Sequence, residues 1–184
     1  MAIKRLVIEG FGQIELNNVA FRRDGRVEAQ CGLDPVGFKN VPAENGMLLA
    51  VDKANRLIKF YNASADLPLA INYSTEHMYS EKASGLKDFS LKPGQLSPRM
   101  GYLSVGDLFT INCLCYNDTE FTTEDALLEA LEACATTPVY CGVSEVGAWL
   151  VSKTKPVKGP VAKVVKSYTM PDGQYGVKLQ VLSC

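Results

Sequence analysis

The sequence has little of what several functional classes require. Its 184 residues include one histidine and one tryptophan, and 19 Lys and Arg are balanced by 20 Asp and Glu. The formal net charge of −1 excludes a nucleic-acid binder that works by neutralising phosphates, because such proteins carry a large basic excess. No apolar run reaches the roughly 18–20 residues that span a bilayer. We therefore expect neither nucleic acid nor a membrane as a partner.

The N-terminus also lacks the pattern of a secretory signal. Lys4 and Arg5 introduce charge before an apolar segment of sufficient length has formed. We therefore expect a protein that is made in the cytosol and either stays there or leaves by a route that needs no signal.

Motifs for nucleotide binding and for serine hydrolases are missing as well. No Gly-x-Gly-x-x-Gly, Gly-Lys-Ser/Thr or Gly-x-Ser-x-Gly pattern occurs, and Gly10-Phe11-Gly12 lacks both the third glycine and a following helix. Acidic residues cluster between positions 107 and 125, where capping of a helix already accounts for them. We therefore predict no catalytic and no cofactor-binding residue. The acidic residues are Asp107, Asp118, Glu120, Glu124 and Asp125.

Six cysteines are too few for a disulfide scaffold in a chain of this length, so we expect reduced, buried, small apolar side chains. Cys113-x-Cys115 is closer than the usual zinc-binding pair and has no second pair, so no metal ligand is predicted. One alternative is a cysteine-dependent enzyme that uses Cys141 or Cys115 with His77. Nothing in the sequence brings these residues together. The remaining cysteines are Cys31, Cys134 and Cys184.

Most of the apolar residues, which make up 47% of the chain, fall in short runs of strand length. Residues 47–51 and 57–61 predict one hairpin, and the Pro171-Asp172-Gly173 turn predicts another in the C-terminal region. Residues 108–116 form the clearest strand, on which the period of two places four side chains on one face. These side chains are Phe109, Ile111, Cys113 and Cys115.

Several shorter strands are predicted around these elements. Asp24-Gly25 marks a turn between two of them. The five lysines of residues 153–166 predict a solvated edge strand that resists edge pairing, with contact to an acidic protein surface as the alternative. The further predicted strands are 6–8, 19–21, 27–29, 69–73, 102–105, 139–141, 146–151, 161–169 and 174–182.

One helix is predicted near residues 122–135. Thr122 is the expected N-cap, with Asp125 at the third helical position of a capping box, and the helix should end before Pro138. One helix cannot supply the crossovers of a doubly wound sheet. The predicted fold class is therefore mainly β (α+β), an antiparallel β-barrel or sandwich with one short helix.

The chain is long enough for one domain with an additional arm. Residues 32–42 hold two prolines and two glycines and predict a loop. We therefore divide the chain into an extended N-terminal β segment or arm, residues 1–44, and a β-rich body, residues 45–184. Residues 74–100 predict a long loop, and loops of that length are often functional.

The body resembles small virion structural proteins of tailed bacteriophages, in particular capsid decoration (auxiliary, or cement) proteins. The resemblance is carried by residues 46–52 (GMLLAVD), 69–77 (LAINYSTEH), 98–110 (PRMGYLSVGDLFT) and 170–173 (MPDG). It implies a non-enzymatic protein, made in the host cytoplasm, that decorates and stabilises the capsid from its outer surface. The implied partners are the major capsid protein lattice and further copies of this chain.

We expect the capsid contacts to come from the segment before Pro42 and from the loop 74–100. Multivalent attachment would allow each contact to be weak. Three alternatives remain: a tail or head–tail joining component, the cysteine-dependent enzyme described above, and a host-cell module that binds glycans through exposed aromatic residues such as Trp149.

Overall fold

The computed structural model describes residues 2–74 and 86–184. Within these ranges the chain forms sixteen strands, two α-helices, and 3₁₀ turns at Leu86–Asp88 and Ala133–Ala135. The helices are α1 (Ala20–Asp24) and α2 (Glu124–Glu132). The strands are β1 (Ile3–Arg5), β2 (Ile14–Asn18), β3 (Val27–Glu28), β4 (Gly32–Leu33), β5 (Ala43–Glu44), β6 (Leu48–Asp52), β7 (Leu57–Lys59), β8 (Leu69–Asn72), β9 (Ser90–Leu91), β10 (Met100–Gly101), β11 (Leu108–Ile111), β12 (Leu114–Asn117), β13 (Tyr140–Gly142), β14 (Trp149–Ser152), β15 (Val161–Thr169) and β16 (Tyr175–Ser183).

The strands form three sheets. An eight-stranded sheet has the order β1-β12-β14-β13-β15-β16-β11-β2, a six-stranded sheet has the order β3-β10-β8-β6-β7-β4, and β5 pairs with β9. Pairing is antiparallel except between β12 and β14 and between β4 and β7. Because each strand order has two free ends, the described residues form no closed barrel. The predicted mainly β fold is confirmed, and it is a sandwich.

Two apolar clusters fill the interior, and β6 lies between them. Leu48 packs in the larger cluster, while its neighbour Leu49 packs in the smaller one, so both faces of this strand are buried. This double burial explains why residues 47–51 are a continuous apolar run rather than an alternating one. Trp149 lies in the larger cluster with no exposed surface, and its indole N–H donates to the Gly46 carbonyl at 3.0 Å. The glycan-binding alternative therefore loses Trp149 as an exposed aromatic residue.

The strand predicted over residues 108–116 is broken at Asn112 and Cys113. A tight turn forms there, in which the Leu114 N–H donates to the Asn112 carbonyl at 2.9 Å. The four side chains expected on one face therefore separate. Phe109 and Ile111 pack in the larger cluster, whereas Cys113 and Cys115 pack in the smaller one.

Both predicted hairpins are confirmed: β6 pairs with β7, and β15 pairs with β16. The predicted strand at residues 102–105 is wrong, because the strand in this region is β10, just before it. The edge position predicted for the lysine-rich strand is also wrong. β15 lies inside the sheet, between β13 and β16, so lysines are not blocking a free edge there.

Residues 19–21, predicted as strand, instead begin α1. Its N-cap, Val19, offers no capping side chain, and the helix is capped from elsewhere: Asp107 Oδ1 accepts the Ala20 N–H at 2.8 Å. Gly25 ends this helix in the left-handed conformation. The predicted longer helix is present as α2, but its N-cap is Thr123 rather than Thr122, since the Thr123 hydroxyl accepts the Ala126 N–H at 3.2 Å.

The first 44 residues contribute strands to all three sheets. β1 and β2 are the two edges of the eight-stranded sheet, β3 and β4 are the edges of the six-stranded sheet, and β5 belongs to the small sheet. The division of the chain at residue 44 stays a prediction. Each of these strands is paired with a strand that comes later in the sequence.

Candidate functional site

Five of the six cysteines are buried, as predicted, and Cys184 is exposed. Burial raises the pKa of Cys113 to about 12 and that of Cys115 to about 11. Burial likewise raises the pKa of Cys141. A thiolate, not a thiol, is the nucleophile, so these protonated side chains are poorly suited to attack. His77, their predicted partner, lies outside the described residues.

The described part of the chain contains no group of three or more His, Cys, Asp and Glu side chains that could hold a metal ion. In addition, no helix among these residues is long and apolar enough to cross a membrane.

The best-organised polar site joins the N-terminal segment to the junction of the sheets. Arg5 donates two hydrogen bonds to Glu44, from Nη1 to Oε1 at 3.1 Å and from Nη2 to Oε2 at 2.8 Å. Glu44 Oε2 also accepts the Gly12 N–H at 2.8 Å. The Glu44 side chain is 9% exposed and that of Arg5 is 33% exposed. The pair therefore fastens β1, an edge of the large sheet, to β5.

Close packing at this site requires glycine. A Cβ at Gly12 would lie 2.7 Å from the Asn45 carbonyl oxygen and 2.9 Å from Cys113 Cβ, which are distances that real Cβ atoms do not show. Gly10 has φ +76° and its missing side chain would collide with the Lys87 carbonyl. The Gly10-Phe11-Gly12 motif therefore serves packing of the N-terminal segment.

Next to this pair, Gln13 and Asn112 are buried together. The Gln13 backbone N–H donates to Asn112 Oδ1 at 2.7 Å, and Gln13 Nε2 donates to Asp172 Oδ2 at 2.7 Å. The Asn112 amide nitrogen is buried without a hydrogen-bond partner. We call the five residues Arg5, Gly12, Gln13, Glu44 and Asn112 the polar seam, because they link the N-terminal segment to both apolar clusters.

The polar seam continues to the surface through the turn of the C-terminal hairpin. Gln174 Nε2 donates to Asp172 Oδ2 at 2.6 Å, and the Glu9 N–H donates to Gln174 Oε1 at 2.7 Å. Lys87 forms an ion pair with Glu9 at 2.5 Å. Burial acts to raise the pKa of Asp172, but hydrogen bonds from Gln13 and Gln174 outweigh it and lower that pKa. Residues far apart in sequence are thus held at one corner of the molecule.

Exposed apolar side chains occur in both segments predicted as contacts, with four before Pro42 and one, Leu96, in residues 86–100, which belong to the described part of the predicted loop 74–100. Val7 is 78% exposed, and Val36 and Leu96 are each 81% exposed. Five of the nine large apolar side chains with high exposure lie before Pro42 or within residues 86–100, although these segments make up about a third of the described residues. The nine are Ile3, Val7, Val36, Val41, Leu96, Val105, Val146, Val157 and Val165.

The described part of the molecule also has two concave surfaces. One, of about 590 Å³, lies beside Leu96 and is lined by Phe89, Leu91 and Gln95 among others. Another, of about 310 Å³, has an apolar wall that includes Leu69 and Leu103, with Arg26 and Cys184 among its lining residues. Neither groups acid, base and nucleophile in the way that catalysis needs.

The polar seam had almost no sequence signal. Glu44 and Gln13 follow loop-like residues and are indistinguishable there from solvated side chains. Their partners lie 39 positions away in the case of Arg5 and Glu44, and 159 positions away in the case of Gln13 and Asp172. Only the two closely spaced glycines indicated that this segment makes an unusually close approach.

Comparison with known proteins adds no identification. No family model, curated protein or solved structure gives a significant match to the chain. The likeness to capsid decoration proteins therefore stays a prediction from the sequence.

Proposed function

We propose that the protein is a non-enzymatic virion component that decorates a phage capsid by binding the major capsid protein lattice on its outer surface. The observation that carries this proposal is that four of the nine highly exposed apolar side chains lie before Pro42 and a fifth, Leu96, lies in residues 86–100. Isolated apolar residues on loops provide many small contacts, each weak on its own. When such contacts are repeated over a lattice, their combined strength is sufficient for stable attachment.

The polar seam supports the same role by fixing the contact segment. Ion pairing of Arg5 with Glu44 and the close approach at Gly12 hold the N-terminal segment against the sandwich. Because this segment is already ordered, binding through Val7 or Val36 costs less conformational entropy than binding through a disordered arm. The buried, protonated thiols give the cysteine-dependent alternative no support.

The test is binding of the purified protein to purified phage heads, scored as copies per particle. The test variant combines Val36→Asp and Leu96→Asp, which place charge on both predicted contact segments. The matched control combines Val105→Asp and Val157→Asp, which are also exposed but lie outside these segments. Burying one such side chain is worth about 1.5 kcal/mol, so we expect the test variant to bind at least about tenfold more weakly and the control to bind normally.

Equal binding by the test variant and the unchanged protein would overturn the assignment of the contact segments. Absence of binding to heads, with recovery of the unchanged protein in tails or in rings at the head–tail joint, would overturn capsid decoration in favour of the tail or joining role. Imaging of the purified particles distinguishes these outcomes.

A further inference from the structure

At β15 and β16, the face of the eight-stranded sheet that points away from the larger apolar cluster carries polar side chains. In β15 and β16, Val164 pairs with Leu179 and both are buried in that cluster. A register shift between Val164 and Lys166 interrupts the alternation of β15, so Lys166 pairs with Lys178, and both lysines point away from the cluster. A third lysine, Lys163, lies on the same side, opposite Gln180. We call Lys163, Lys166 and Lys178 the lysine face.

Among the residues that the structure describes, no carboxylate forms an ion pair with the lysine face. Lys163 and Lys178 form none of the ion pairs found among the described residues. Lys166 lies over the Tyr168 ring at 5.7 Å and directly across from Lys178. Like charges in direct cross-strand contact destabilise a sheet. The carboxylate in the same cross-strand row is Glu15, which is separated from Lys178 by a full strand. An anionic partner would therefore relieve repulsion as well as add attraction.

The same molecule carries a surface of the complementary charge on α2. Asp125, Glu129 and Glu132 are exposed and fall at positions i, i+4 and i+7, so they share one helix face. The helix contains no Lys or Arg to offset them. We call these three carboxylates the acidic ridge.

The lysine face and the acidic ridge lie on opposite sides of the sheet. Leu127 and Leu131 of α2 pack in the larger cluster, the one that also buries Val164 and Leu179, whereas the lysines point away from it. Within one chain the two surfaces therefore cannot neutralise each other. Two chains can bring the lysine face of one copy against the acidic ridge of another.

We propose that the lysine face docks on the acidic ridge of a second copy of this chain. The contact is heterologous, so an open chain of copies keeps one lysine face free at one end and one acidic ridge free at the other, and copies add head to tail into a closed ring or an open filament. This contact deepens the proposed assembly role by naming the surface through which copies associate. It is tested without capsids, so its failure is distinct from failure of capsid binding.

A second copy fits these surfaces better than nucleic acid does. Three lysines neutralise few phosphates, and the acidic ridge repels a polyanion that extends around the molecule. With a net charge of −1, the chain has nearly balanced charge that is separated into patches. That separation favours oriented contact between copies.

The experiment is sedimentation velocity of the full chain at rising concentration, in about 50 mM and about 500 mM salt. A face variant carries Lys163→Glu, Lys166→Glu and Lys178→Glu, and a ridge variant carries Asp125→Lys, Glu129→Lys and Glu132→Lys. The matched control carries Lys39→Glu, Lys92→Glu and Lys158→Glu, three exposed lysines elsewhere, so its net charge equals that of the face variant. Circular dichroism establishes that each variant is folded. Lys→Gln and carboxylate→Gln versions replace any variant that is not.

We expect the unchanged protein and the control to associate at low salt, with the dissociation constant rising at least about tenfold at high salt. Each reversed variant alone should associate about 100-fold more weakly. An equimolar mixture of the two should associate again, because the glutamate face of one variant meets the lysine ridge of the other, and the unchanged lysine face meets the unchanged acidic ridge. The proposal is overturned if the unchanged protein stays monomeric, if the control is as defective as the face variant, or if the mixture does not recover. Tighter binding of a single-stranded oligonucleotide than of a second copy would overturn it in favour of nucleic acid.

Discussion

The surroundings of Trp149 and the polar seam are both buried, but different forces stabilise them. Trp149 packs against Phe109, with ring centroids 5.5 Å apart, and makes one hydrogen bond to the backbone. In the polar seam, the Glu44 carboxylate accepts hydrogen bonds from both the Arg5 guanidinium and the Gly12 backbone N–H. The first region is stabilised mainly by apolar side chains that fill its volume. The second requires particular partners, because a buried charge without its partner is costly.

The largest loss of stability should follow from removal of the Trp149 side chain from the apolar region. Trp149→Ala removes the largest fully buried side chain, and we expect the free energy of unfolding to fall by about 4 kcal/mol. Urea denaturation measures this value. Val105→Ala, at an exposed position, is the control and should cost less than about 0.5 kcal/mol. A loss below about 1 kcal/mol for Trp149→Ala would show that this region is not a tightly packed core.

In the polar seam, removal of one partner should cost more than removal of both charges. Glu44→Ala leaves Arg5 and the Gly12 N–H unpaired, and we expect a loss of about 2 kcal/mol, moderated by the partial exposure of Arg5. The double variant Arg5→Met with Glu44→Gln keeps an acceptor for Gly12 and removes both charges. It should lose less than about 1 kcal/mol. The reverse order in urea denaturation would contradict the account of the seam as a charge-dependent site.

The cap of α2 provides a smaller, local comparison, since this helix covers the apolar region. Thr123→Ala removes the hydroxyl that accepts the Ala126 N–H, and we expect a loss of about 1 kcal/mol in thermal or urea unfolding. Thr122→Ala is the matched control one residue earlier and should be close to neutral. Equal effects at the two positions would argue that neither hydroxyl caps the helix.

The smallest expected effect is a pH dependence of stability at Asp172, next to the polar seam, that the surroundings of Trp149 should not show. The pKa of Asp172 is lower in the folded protein than in the unfolded chain, so its contribution to stability is present above about pH 4 and is lost as pH falls through the folded value. Asp172→Asn should therefore reduce the acid-induced loss of stability, by about 0.5 kcal/mol or less because the residue is exposed. Urea midpoints at neutral and acidic pH measure the difference. Trp149→Ala should have the same cost at both pH values, and a pH-dependent cost there would contradict the distinction between the regions.

Sequence patterns predicted what short-range chemistry controls. The hairpin turn at Pro171-Asp172-Gly173 and the alternation of the flanking strands are local, and the C-terminal hairpin is present as expected. The break at Asn112 and Cys113 was not predictable in this way. Gln13, 99 positions away, donates to Asn112, and Trp149 donates its backbone N–H to the Cys113 carbonyl at 3.0 Å. A periodicity of two carries no information about such partners.

Contacts between residues distant in the sequence also explain why other predictions were wrong. α1 begins at Ala20 because Asp107, 87 positions later, caps it, whereas the local sequence favoured a strand. For the proposed contacts, the sequence predicted the segments but not which side chains project from them. The pairing of the lysine face with the acidic ridge depends on which side of the sheet each surface occupies. Only the cross-strand register between Lys166 and Lys178 and the packing of α2 reveal that arrangement.

The position of Trp149 also gives the protein an intrinsic optical probe. It is the single indole in the chain, it has no exposed surface, and its N–H is bound to the Gly46 carbonyl, so its fluorescence arises from one defined environment. Separation of β14 from the segment that contains Gly46 would break this hydrogen bond and expose the indole to water. A red shift in emission therefore reports opening of the sandwich itself. Attachment of copies to one another or to a lattice through exposed side chains should leave this buried indole unhydrated and the emission maximum unchanged.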